Sequence, residues 1–143
     1  MIENNEKLAM IEALLTGEPV PARLGTTNPK TLQPHITMVW FLWDGESIWI
    51  SAFISTRKAR DVSRNQKIAV LIEPKVPAKL QAVLFEGPCE FIEEPRALVA
   101  KMSLKIYERY MGAEGVKAKE PQSWVVDPEN RLIRLTPAHT YTW

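Results

Sequence analysis

Six short apolar segments, each closed off by proline, glycine or a polar turn, constrain this chain more than anything else in it. They are Ala22–Thr27, Gln33–Trp43, Ser47–Ile54, Lys67–Glu73, Leu80–Ile92 and Arg131–Leu135. Each is rich in the β-branched and aromatic residues that suit a pleated, half-buried surface. Asn28-Pro29-Lys30 is a turn between the first two, and Asp44-Gly45 is a strong hairpin signal between the second and third. Pro74 and Pro77 cut the fourth, and Gly87-Pro88 inside the fifth marks a bulge or bend. The order is one of antiparallel hairpins, which predicts a mainly β fold, a six-stranded antiparallel β-barrel.

Helical spacing is confined to the gaps. Leu8, Ile11, Ala13, Leu14 and Leu15 predict a helix over 4–16, stopped by Gly17 with Pro19 beyond. A short polar helix follows the third strand from Lys58 to Arg64, with Val62 as its apolar contact. Pro95 opens a longer one in which Leu98, Val99, Met102, Ile106 and Tyr110 share a face up to Gly112. Gly112 to Pro121 reads as a surface loop, Trp124–Val126 is left unassigned, and Pro137–Trp143 extends along something apolar. The expectation is three peripheral helices and one domain spanning 1–143.

Composition removes several function classes. The net charge of +1 gives no basic field for nucleic acid. No apolar run approaches the roughly 20 residues that cross a bilayer. Met1–Lys7 is polar and acidic, unlike a signal peptide. Cys89 is a lone cysteine, and two histidines make no metal cluster. A cytoplasmic protein is expected. Five tryptophans, with Trp40, Trp43 and Trp49 around one hairpin, suit a core or a subunit interface ahead of a groove for a flat ring.

Ser55-Thr56-Arg57-Lys58-Ala59-Arg60 lies between a strand and a helix. Ser55 and Thr56 are good caps, and the first turn of a helix carries unpaired N–H groups and partial positive charge. Arg57 and Lys58 add two cations at that same end, an arrangement that asks for an anion, a phosphate being the natural one. Acid–base machinery is otherwise thin. His35 and His139 stand in no triad spacing, Glu93-Glu94 fit a helix start, and no glycine-rich phosphate loop exists. A phosphate anchor beside aromatic strands points to a cofactor that brings its own reactivity.

Taken in order, Ala22-Arg23-Leu24-Gly25-Thr26, Gln33 to Phe41, Asp44-Gly45, Ser55 to Arg60 with Asn65, and the closing Leu135 to Trp143 resemble the pyridoxamine 5′-phosphate oxidase-like family. That resemblance implies a split β-barrel, an FMN cofactor and a homodimer with cofactor sites between the subunits. It places Thr37, Met38, Val39 and Trp40 beside the flavin ring, Ser51 and Ala52 along the ring or ribityl chain, and Arg57 and Lys58 on the phosphate. Gln81 or Ala82 falls near a further flavin contact. The family's oxidases carry a cation at each end of the second-strand motif, where this chain has Thr37 and Leu42. Recognition of a second phosphate, on a pyridoxal-type substrate, is therefore not expected, nor is the C-terminal substrate segment of those enzymes.

The implied function is an FMN-dependent oxidoreductase passing hydride between a small substrate and the flavin, with no catalytic side chain assigned. Two alternatives share the fold: a reductase using the deazaflavin coenzyme, with Arg60 and Arg64 extending a basic groove, and a non-catalytic flavin- or haem-binding module.

Overall fold

Alternating apolar residues form strands where the sequence placed them, and the described residues are 4–143 of a computed structural model. Met1–Glu3, the start of the stretch read above as unlike a signal peptide, lie outside the described residues. The strands are β1 (Ala22–Thr27), β2 (Pro34–Val39), β3 (Leu42–Trp43), β4 (Ile48–Phe53), β5 (Lys67–Ile72), β6 (Val83–Ile92), β7 (Asn130–Leu135) and β8 (His139–Thr142). The helices are α1 (Asn4–Thr16), α2 (Arg57–Arg64), α3 (Arg96–Gly115) and α4 (Lys119–Val125).

All strand pairs are antiparallel, in the order β2-β1-β5-β6-β7-β4-β3, with β8 also on β6. β2 and β3 stand at opposite ends of that path, yet only Trp40 and Phe41 separate them in the chain. The sheet must therefore curl until its ends are neighbours, which gives a split-barrel-like fold. β7 and β8 follow one another along β6. Cys89 faces Leu135 while Glu86 faces His139, so the β7–β8 side holds one extra residue, a bulge opposite Gly87-Pro88. Gly87 has φ +153°, and a Cβ there would come within 3.0 Å of the Ala138 amide nitrogen.

Three expectations are corrected. The fold is mixed rather than mainly β, since the helices hold about as many residues as the strands. Among the described residues the strands number eight rather than six. The 33–43 segment breaks at Trp40-Phe41, where the Phe41 N–H leaves the ladder for the Tyr110 hydroxyl (3.2 Å), and the C-terminal segment pairs as β8. A fourth helix, α4, occupies part of the expected loop. Pro121 sits in its first turn, where the missing N–H would have no intrahelical partner. Trp124 then meets Tyr107 edge-on at 5.7 Å, and Val125 is buried. The expected stop of α3 at Gly112 is a kink: Gly112 leaves the helical conformation at φ +80°, and a short helical stretch follows to Gly115.

Two cores result from strand alternation. Ile48, Ile50 and Ala52 of β4 point into the barrel with Leu15, Leu24, Phe41, Val70, Ile72 and Ile133. Trp49, one residue out of phase, points to the opposite face, against Val99, Met102, Ile106 and Tyr107 of α3. Each fully buried Ile or Leu contributes about 1.5–3 kcal/mol. α3 is thus fixed across β4 and β7, and that placement builds one wall of the site.

Candidate functional site

A cleft of about 280 Å³ opens where the end of β2, the outer face of β4, the start of α2 and the middle of α3 meet. Its lining includes Met38, Val39, Trp40, Ser51, Lys58 and Tyr107. Five residues expected from sequence thus come together: Met38, Val39, Trp40, Ser51 and Lys58. β2 ends the sheet path, so its outer edge offers N–H and C=O groups that no strand pairs among the described residues.

The other four expected residues do not line the cleft. Ala52 is buried in the barrel core, because consecutive strand residues face opposite sides and Ser51 takes the cleft side. Thr37 likewise alternates with Met38, and its buried Oγ1 has no hydrogen-bond partner. Gln81 lies on the segment before β6, where its amide donates to the Trp143 carbonyl (2.6 Å). Arg57 is exposed beside the cleft at the start of α2.

The α2 start is built as its sequence suggests, with one correction. Thr56 caps it, accepting from the Ala59 N–H (3.4 Å) and donating to the Phe53 carbonyl (2.7 Å). Arg57 is not left without an anion: its Nε stands 3.7 Å from Oδ2 of Asp61, one turn on. Asp61 is buried, and that same Oδ2 accepts no hydrogen bond. Arg60 folds back so that Nη1 donates to the Ser55 carbonyl (2.7 Å). Lys58 is the cation that enters the cleft. Partial burial there pushes its pKa below the ordinary lysine value, because removing water disfavours the charged form.

The α3 wall was hidden in a stripe that reads as plain core. Ser103, Ile106, Tyr107 and Tyr110 repeat at three- and four-residue steps, the same pattern as their apolar neighbours. In the fold, the Tyr107 hydroxyl lies 2.8 Å from Ser51 Oγ, and Ser51 donates to Asn130 Oδ1 at 2.8 Å. Burial raises the Tyr107 pKa, partly opposed by the neighbouring Ser51 and Ser103 hydroxyls, so the phenol keeps its proton at neutral pH. Trp40 stacks on Tyr110 (centroids 4.9 Å apart, planes 4°) and is 38% exposed. Tyr110 covers one face of Trp40 and is itself held by donating to the Val20 carbonyl (2.7 Å).

A larger groove of about 600 Å³ crosses the outer face of the sheet, where Ile36, Gly25, Ala69, Glu86 and His139 form one row. His35 and Lys67 also line it. Its floor is short side chains and backbone, with no indole or phenol to stack on a ring. The smaller cleft has the convergent chemistry: an aromatic plane, a hydroxyl network and a cation at a helix start. Among the described residues, no cluster of His, Cys, Asp or Glu could hold a metal ion, and no helix is long and apolar enough to cross a membrane.

Comparison with known proteins fits this architecture. No curated protein matches the chain in sequence. A conserved hypothetical protein from Mycobacterium tuberculosis superposes with TM-score 0.75 at 23% identity, covering 100% of this chain and 85% of its own. An F420 reductase gives TM-score 0.72 at 23% identity, covering 91% and 94%. The haem storage protein HutZ from Vibrio cholerae gives 0.69 at 17% identity, covering 99% and 94%. These likenesses establish the fold. Residues 9–143 match the pyridoxamine 5′-phosphate oxidase family, and the chain belongs to that family.

Proposed function

We propose that the chain binds FMN in the cleft between β2, β4, α2 and α3 and works as a flavin-dependent oxidoreductase. One observation carries the reading: Met38, Val39, Trp40, Ser51 and Lys58, far apart in sequence, converge on one small cavity. The residues present fit the cofactor. Lys58, with the first-turn amides of α2, would hold the phosphate. The half-exposed Trp40 plane and the free edge of β2 would hold the ring by stacking and by backbone hydrogen bonds. FMN, once bound, supplies the hydride chemistry. The protein's part is to orient the ring against Trp40, keep water from its buried face and neutralise the phosphate.

At about 280 Å³ the cleft is below the usual size of a complete ligand pocket, roughly 300–1,000 Å³. A second copy of the chain supplies the missing wall in this reading. Ile36 (70% exposed) and Met38 (63% exposed) put apolar surface beside the cleft, and beyond Arg23 the Met38 row continues across the same sheet face as Leu71, Leu84 and Tyr141. Light scattering should report a dimer at micromolar concentration; a clean monomer contradicts this part.

Titration of FMN into the protein tests the site. Stacking on Trp40 quenches its fluorescence, and Trp40→Phe should remove that part of the quench. Reduction of the bound flavin by a nicotinamide nucleotide under anaerobic conditions supports the enzyme; a flavin that no nicotinamide or candidate substrate reduces favours the non-catalytic module. The deazaflavin coenzyme is the second reading. Arg60, turned back onto Ser55, brings a third cation to the α2 start, which suits a longer anionic tail. Parallel titrations with the two cofactors separate the two readings.

A further inference from the structure

The hydroxyl network on the α3 wall has a direction, and the direction fixes what the cleft offers a ligand. Asn130 Nδ2 donates to Ser103 Oγ (2.8 Å), Ser103 donates to Ser51 Oγ (3.3 Å), and Ser51 donates to Asn130 Oδ1 (2.8 Å). These three side chains close a ring in which each hydroxyl spends its single hydrogen. Ser51 has none left for Tyr107. The 2.8 Å contact between Tyr107 and Ser51 is therefore a bond donated by the phenol, with Ser51 Oγ accepting. The lone pairs of the Tyr107 oxygen then have no donor among the described residues, and Tyr107 lines the cleft. The α3 wall presents an acceptor, held by a phenol too deeply buried to ionise readily. Across the cleft, Lys58 carries only donors.

We infer that Tyr107 is a specificity-determining residue that accepts a hydrogen bond from an imide-type N–H on the edge of a planar heterocyclic ligand. The inference rests on the flavin-type reading of the cleft. The pyrimidinedione edge of a flavin has an N–H between two carbonyls, and 5-deazaflavins share that edge, so the assignment holds for either cofactor. An analogue alkylated at that nitrogen loses the donor and adds bulk at the point of contact. A buried acceptor left without its donor discriminates strongly.

The test compares FMN with 3-methyl-FMN by fluorescence titration, in wild-type protein and in Tyr107→Phe, which keeps the ring and its packing on Trp124. Wild-type protein should prefer FMN by about tenfold or more, the equivalent of one hydrogen bond. Tyr107→Phe should weaken FMN and leave 3-methyl-FMN nearly unchanged, bringing the ratio towards one. FMN binding with a ratio near one in wild type, or with a ratio that Tyr107→Phe does not move, overturns the assignment and leaves the flavin reading standing. Failure of wild-type protein to bind either FMN or the deazaflavin coenzyme overturns both.

Discussion

The two walls of the cleft solve the problem of buried polar groups in opposite ways. On the α3 side, Ser51, Ser103 and Asn130 satisfy one another in a closed ring, and Tyr107 joins it. On the α2 side, Asp61 Oδ2 is buried without a hydrogen bond among the described residues, 3.7 Å from Arg57 Nε, in a helix whose start also bears Lys58 and Arg60. A satisfied network is rigid and holds its shape without a ligand. An unsatisfied, charged wall has interactions still to make. The contrast teaches that the α3 wall sets geometry, while the α2 wall carries the cations on which the proposed phosphate contact depends.

Removing the hub of the satisfied wall should have the largest effect. Asn130→Ala strands the hydroxyls of Ser51 and Ser103, and urea denaturation should show a loss of about 1–3 kcal/mol. A change near zero would mean that the ring contributes no rigidity, and the contrast between the walls would fail. Next comes pH. An anion favours charged Lys58, so FMN affinity should fall as pH rises through a lysine pKa that burial has already lowered. The fall should begin below the ordinary lysine range. Without ligand the sign reverses. The unfolded chain binds that proton more tightly than the folded one, so folding stability should rise through the same window.

Arg57→Ala should weaken FMN by less than tenfold, because the 3.7 Å pair with Asp61 already occupies part of its charge and the side chain is exposed. A loss as large as that from Lys58 would return Arg57 to the role the sequence first suggested. The smallest effect is expected at Thr26→Val. That substitution deletes a buried hydroxyl with no partner, so stability should hold or rise by a few tenths of a kcal/mol. A clear loss would show that the hydroxyl is satisfied after all, for example by a buried water.

Much of this was legible beforehand because strands and caps are local. The hairpin at Asp44-Gly45, the Thr56 cap and the apolar alternation of β4 are all set by near neighbours in sequence. β8 was not, since its pairing depends on how β6 bends at Gly87. The same division runs through the site. Lys58 is expected from its helix start and Trp40 from the family resemblance, and both line the cleft. Tyr107 and Asn130 are not expected, because a tyrosine at helical spacing looks like core until β4 brings Ser51 against it. Ala52, expected beside Ser51, faces the core instead, because adjacent strand residues take opposite faces.

The choice between the cleft and the larger sheet groove comes down to one lysine in each. Lys58 lines the cleft and Lys67 lines the groove. Isothermal titration of FMN into Lys58→Met and Lys67→Met decides between them. The cleft reading predicts a loss of about tenfold to a hundredfold in Lys58→Met and wild-type affinity in Lys67→Met. Full affinity in Lys58→Met, with the loss in Lys67→Met, would contradict it.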